Sequence, residues 1–289
     1  MLDVQARGPC LALRPYVRCY VQRSGSDTGV LSVDPVVARL EQAIDFHFKT
    51  PYEIHPTSSA ARRRSALRYG TTRFAAPLAA VIGPQTARHF TVFIQGPVDA
   101  FMITFQPAGF HRLFRIPLSE FTDDGTEASS VFGSVIMGLR ERLGDVNTFA
   151  ERVRIAESFL LHTFPQVDDR DPFASVAACL LKVDAGSRIS EVASQTGLSL
   201  RQFERRFHQY AGVPPKLFVK IARFQAALEM KVKSSAQSWT TVAHANEYFD
   251  QMHMIRDFRE LGGATPSRVS ADIPSEHIDY LLDFLQQMS

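Results

Sequence analysis

The 289-residue sequence has little of several things that would define a class at once. Its three cysteines, Cys10, Cys19 and Cys179, are far apart and odd in number. They make neither a disulfide framework nor a zinc motif, and reduced thiols in a cytosol are the simplest expectation. No apolar run approaches the roughly 18 residues of a membrane span. The start, MLDVQARGPCLALRP, lacks a basic flank followed by an apolar stretch and a small-residue cleavage site, so no secretory signal is expected and a cytoplasmic location is. Net charge is nearly absent, at +2, and with 45% hydrophobic and 21% charged residues the chain is excluded from wholesale disorder.

The length leaves room for more than one core, since about 100–200 residues usually make a domain. The charge is also unevenly spread: residues 1–171 carry a net +1, residues 172–270 a net +5, and residues 271–289 a net −4. A modestly basic block with an acidic tail behind it fits a small nucleic-acid-binding module, although solvated helical faces reach the same value.

The front reads as strand-rich to about residue 116. Ile44, Phe46 and Phe48 alternate with Asp45, His47 and Lys49, and VIGPQT, HFTVFIQG and DAFMITFQP follow, broken by Gly-Pro pairs. A small antiparallel barrel or sandwich is expected. HPTSSAARRRSALRYG (55–70) interrupts it as a loop with Arg62, Arg63 and Arg64 at a solvated tip. Over 127–163 the period becomes helical, with Val131, Phe132, Val135, Ile136 and Leu139, then Phe149, Val153, Ile155, Ala156, Phe159 and Leu160. The expected fold class is therefore α+β: residues 1–164 form a sensing and oligomerisation domain, with a linker at 165–173 in the acidic, proline-bracketed PQVDDRDP stretch.

In RISEVASQTGLSLRQFERRFHQYAG (188–212), Ile189, Val192 and Ala193 share one face of a short helix with Ser187 as its cap, and Gly197 supplies a left-handed turn position. Ser199 and Gln202 form an S-x-x-Q capping box that starts a second helix at Leu200. On it Leu200, Phe203, Phe207 and Tyr210 face inward, while Arg201, Glu204, Arg205 and His208 face out. An α-helix fits the major groove and arginine donates two hydrogen bonds to guanine, so a helix-turn-helix is the natural reading; decoration of a solvated helix is the alternative.

A second unit, WTTVAHANEYFDQMHMIRDFRELG (239–262), places Trp239, Val242 and Ala243 on one helix and lets Asp250 cap another that buries Met254, Phe258 and Leu261. Gln251, Met252, Arg256 and Arg259 remain on other faces. Between the units a helix begun by Pro215 buries Leu217, Ile221, Ala222 and Leu228. Such a rod, about 27 Å long at about 1.5 Å per residue, would hold two reading helices apart, and successive major grooves face the same way about 34 Å apart.

These two runs, with the closing G-x-T-P-S, resemble the DNA-binding domain of the AraC family of transcriptional regulators over 174–270. IGPQT and FQPAGFHRLFRIPLSEFTD resemble the front domain of an uncharacterised AraC-type subgroup. The resemblance implies a sequence-specific DNA-binding regulator that responds to a signal through its N-terminal domain, with no enzymatic activity and no cofactor. Double-stranded promoter DNA is the implied partner, with a small-molecule effector and a homodimer as further candidates and no membrane. Base contacts are implied for Arg201, Glu204 and Arg205 and for Gln251, Met252 and Arg256. Phosphate contacts are implied for Gln202, Arg206, Lys216 and Lys220. The second unit departs from the family: Glu247 stands where glycine is common, so either a left-handed glutamate is tolerated there or the turn is altered, and Met252 replaces a small polar residue, so weaker reading is expected there. The tail, 271–289, reads as an acidic amphipathic helix that docks on its own chain.

Two rivals remain open. A cupin-like metal-dependent enzyme would draw ligands from His47, His55, His89, His111 and Glu53, but these show no H-x-H pair and no local motif. A DNA-binding regulator whose front domain is only a protein-interaction platform is the other. An interior lined by Phe46, Phe48, Phe93, Phe101 and Phe105 serves equally as packed core or as an apolar pocket.

Overall fold

The computed structural model describes residues 2–26, 29–59, 61–62, 71–163, 176–177, 180 and 189–273. The expected linker, most of the arginine-rich loop, the Ser187 cap, Cys179 and the tail helix from 274 lie outside the described residues.

Among the described residues ten strands build the front: β1 Asp3–Arg7, β2 Val17–Gly25, β3 Val30–Val36, β4 Gln42–His47, β5 Glu53–Pro56, β6 Phe74–Ala75, β7 Ala79–Ile82, β8 Phe90–Gln95, β9 Val98–Phe105 and β10 Gly125–Glu127. They form two antiparallel sheets, one of six strands in the order β1-β2-β9-β4-β7-β10 and one of four in the order β3-β8-β5-β6. The arrangement is mixed α and β, and the described strands form no closed barrel.

Strand β4 shows why sheets of this kind defeat a one-sided reading. All six of its residues are buried, because each face meets another layer. Ile44 and Phe46 join Phe101, Ile103 and Phe105 beneath the helices, so those three phenylalanines are packed core; Phe48 and Phe93 are only half-buried. On the opposite face His47 meets Tyr52 edge-on at 4.4 Å and lies 3.6 Å from Asp45. Burial pushes the Asp45 carboxyl up, against the pull of His47, Arg23 and Arg39, and pushes the His47 imidazole down. Both directions favour the neutral forms, as expected where desolvation outweighs pairing.

Helices cover the other side of the large sheet: α1 Gly109–Phe114, α2 Ala128–Phe132, α3 Ser134–Gly144 and α4 Phe149–Thr163. Gly133, at φ +67, breaks α2 from α3, a conformation that costs glycine nothing. Ile136, Leu139, Val153, Ala156 and Leu160 are buried as their period requires, whereas Val135 is 45% exposed. The hairpin is fastened by buried Arg152, which makes a bidentate pair with Asp99 of β9 at 2.5 and 2.8 Å and lies over the Phe48 ring.

The remaining helices are α5 Ile189–Gln195, α6 Leu200–Ala211, α7 Pro215–Lys233, α8 Trp239–Ala245, α9 Gln251–Gly262 and α10 Pro266–Asp272. Their core, around Phe203, Phe207, Phe218, Phe224 and Phe258, also takes in Val37, Ala38, Leu40 and Ala108 from the front. Hydrogen bonds join the two halves there: Ala38 N donates to Leu261 O, and Leu40 N donates to the Gln225 side-chain Oε1. Gln225 in turn donates to the Glu41 carboxylate at 3.0 and 3.1 Å, which also pairs with buried Arg18. A second seam joins Thr122 Oγ1 to Gly212 O and sets His111 against Tyr210 with tilted rings 4.1 Å apart.

Candidate nucleic-acid interface

In the first unit, Val192 and Ala193 of α5 are buried, and Gly197 turns the chain at φ +69. The capping box is present: Gln202 N donates to Ser199 Oγ, and Ser199 N donates to Gln202 Oε1. Helix α6 therefore starts at Leu200, as the spacing predicts, because the box satisfies two of the donors a helix start leaves open. Phe203 and Phe207 are buried against Phe218 of α7. Leu200, expected on that apolar face, is instead 48% exposed: at the first helical position it lies ahead of the covered turns. Arg201, Gln202, Arg205 and Arg206 are exposed and Glu204 is half-buried.

In the second unit, Ser238 caps α8 and Asp250 caps α9 through His253 N. Met254, Phe258 and Leu261 are buried, with Phe258 edge-on to Phe224 at 4.7 Å and to Trp239 at 5.6 Å. Gln251, Met252, Arg256 and Arg259 are exposed. The turn is left-handed at Glu247, φ +58, where an L side chain costs about 1–2 kcal/mol. Glu247 is exposed, so Glu247→Gly should raise stability by about 0.5–1 kcal/mol, the higher unfolded entropy of glycine taking back part of the gain. A urea midpoint that fails to rise, at unchanged slope, would show that the Glu247 side chain itself holds the turn.

Helix α7 is the rod between the units; its 19 residues span about 28 Å at about 1.5 Å per residue. Pro215 opens it and Lys216 is exposed in its first turn. Besides the Phe224–Phe258 contact, its link to α9 is electrostatic. Asp257 is 3% exposed and receives Arg223 Nη2 at 2.9 Å and Lys220 Nζ at 3.5 Å. Lys220 also pairs with Glu260 at 2.6 Å, so this lysine is held within the protein. Arg223 lies 4.4 Å over the Tyr248 ring. The Tyr248 phenol is pushed up by burial and by Asp257. The sequence carries one sign of this network, an aspartate inside the apolar stripe of Met254, Phe258 and Leu261. Between the units lies a cleft of ≈ 690 Å³ lined by residues that include Glu204, Lys216, Lys220 and His253.

The histidines of the metal alternative do not converge. His55 contacts Glu53, His89 contacts Asp123, and His111 Nδ1 contacts Ile116 O, while His47 lies with Asp45. Among the described residues no group of three or more His, Cys, Asp or Glu side chains is placed to hold a metal ion. No described helix is long and apolar enough to cross a membrane.

Two complete helix-turn-helix units on a shared helix define a DNA-binding protein. Residues 192–272 match the family described as Helix-turn-helix domain, and residues 5–127 match Domain of unknown function (DUF6597). The paired units, closed by Gly263-Ala264-Thr265-Pro266-Ser267, are of the AraC type, and the protein is a DNA-binding transcriptional regulator of that type. No curated protein matches the sequence. Among solved structures the chain is similar to ToxT from Vibrio cholerae. An apo variant is 12% identical, with 93% of this chain and 100% of that chain covered and a TM-score of 0.45. An unsaturated fatty acid bound wild-type form is 8% identical, covers 94% and 95%, and has a TM-score of 0.43. A form bound to (E)-4-(8-methylnaphthalen-1-yl)but-3-enoic acid is 10% identical, covers 97% and 98%, and has a TM-score of 0.41.

Proposed function

We propose that the protein is a sequence-specific, non-enzymatic regulator that reads promoter DNA in the cytosol with α6 and α9 and couples that reading to a signal received by residues 1–164. The carrying observation is that both capped helices bury their apolar stripes and turn Arg201, Arg205, Gln251, Met252 and Arg256 to water. Arg201, Glu204 and Arg205 contact bases from α6; Gln251, Met252 and Arg256 contact bases from α9. Gln202 has its Oε1 committed to the cap and offers only its amide N–H groups to a phosphate. Arg206 and Lys216 serve phosphates, which set orientation and salt dependence.

The two seams support the coupling. One reaches the end of α6 at Gly212, and the other reaches α7 and α9 at Gln225 and Leu261. A ligand or partner that shifts the front domain thus acts on both reading helices through packed, hydrogen-bonded contacts. The effector is a small molecule in this reading, and a homodimer is the proposed assembly.

Selected DNA fragments and electrophoretic shift test the reading. Arg205→Ala should cost about 1–3 kcal/mol and relax preference at one base pair, whereas Lys216→Ala should weaken all sequences alike and lower the salt slope by about 1. Unaltered affinity and preference in Arg205→Ala would remove Arg205 from the interface.

A further inference from the structure

Two apolar side chains stand in water at the start of the second reading helix. Phe249, the residue before the Asp250 cap, is 89% exposed, the highest value among the large apolar side chains described, and Met252 in the first turn of α9 is 53% exposed. Neither belongs to the apolar stripe of that helix, which is Met254, Phe258 and Leu261. Met252 lies one turn from exposed Arg256, and exposed Arg259 is one turn further, so the apolar pair sits on a basic face suited to a polyanion. The one polar reader in that turn, Gln251, has its Oε1 directed to Thr240 Oγ1 at 3.4 Å, which limits its bidentate use on adenine.

The major groove presents one apolar group to such a surface, the 5-methyl of thymine. Exposed ring and thioether atoms gain by covering it, and the flanking arginines draw the helix to the phosphates without specifying sequence. We propose that Phe249 and Met252 read thymine methyl groups, so that the second half-site is specified by apolar contact in place of hydrogen bonds. This rests on the reading of α9 as a groove-entering helix.

The test replaces thymine by deoxyuridine, which deletes only the methyl group, one position at a time in both half-sites of the fragments the full-length protein selects. Burying one methyl is worth about 0.8 kcal/mol, so each contacted thymine of the second half-site should lose about fourfold in affinity on replacement. Phe249→Ser with Met252→Ser, two exposed positions, should bind thymine and uracil fragments alike while the first half-site keeps its contribution, and far-UV circular dichroism should be unchanged. If no second-half-site replacement weakens the wild type, or if the double variant keeps the thymine preference, the inference is overturned; a retained Arg205→Ala effect in that case leaves the DNA-reading function standing. If the protein selects no DNA at all, the function and the inference fall together.

Discussion

Asp257→Ala should destabilise the reading domain by about 3 kcal/mol, because deleting one partner of a buried ion pair leaves the other charge uncompensated. The carboxylate is 3% exposed and holds Arg223 and Lys220 of α7. The lower end of the usual range is expected, since the Arg223 and Lys220 side chains keep 14% and 25% of their exposure and water relieves part of the loss. Asp257→Asn, which retains an acceptor for Arg223, should lose clearly less. The Asp257→Ala change removes the ionic tie of α9 to α7 and leaves only their apolar packing, so affinity should fall chiefly through the second half-site. Urea unfolding and half-site binding measure the two effects; an Asp257→Ala protein that unfolds like the wild type would show the network to be worth nothing net.

Gly212→Ala is the second large effect, at about 2–5 kcal/mol. Gly212 caps α6 at φ +79, and an added Cβ would lie 2.6 Å from Pro84 Cγ and 3.0 Å from Pro84 Cδ. The left-handed backbone costs an L residue about 1–2 kcal/mol, and forcing atoms into a packed seam adds about 1–3 kcal/mol. Pro84 cannot easily give way, because its ring is rigid and the preceding Gly83 has no room: a Cβ there would meet Phe121 O at 2.1 Å. Gly197→Ala separates the two contributions. It has a similar φ of +69 with nothing within 4 Å, so it should cost only the backbone part. Equal losses at both glycines would mean that Pro84 yields and that the seam contact carries no weight.

The parts of the reading domain that were legible before the structure are those written within a few residues. The Ser199–Gln202 box, the Asp250 cap and the proline opening α7 each depend on neighbours no more than four positions away, so spacing alone foretells them; at Glu247 the comparison with the family left a left-handed or an altered turn open, and the backbone is left-handed. The outward set of Arg201, Arg205 and Arg256 follows from the 3.6-residue period once the inward phenylalanines are placed.

What spacing does not reach is how many layers cover a surface. Strand β4 alternates apolar and polar residues like a one-sided strand, yet Asp45 and His47 are buried because a second sheet lies across that face. Leu200 reads as apolar and inward but is first in its helix and uncovered. The segment from Val37 to Glu41 shows nothing locally of its docking into the reading-domain core, which depends on Gln225 and Leu261 far along the chain.

The sequence by itself determined the two helix-turn-helix units and the Ser199 and Asp250 caps, because local hydrogen bonds and periodicity suffice for those, while the type of regulator followed from the resemblance of the two runs to the AraC family. Only the tertiary structure decided that Asp257 ties the second reading helix to the rod, that Phe249 is left in water, and that the front half grips the reading half at two seams. Burial and pairing between residues 34 to 185 positions apart depend on which surfaces meet, and no short-range pattern encodes that meeting.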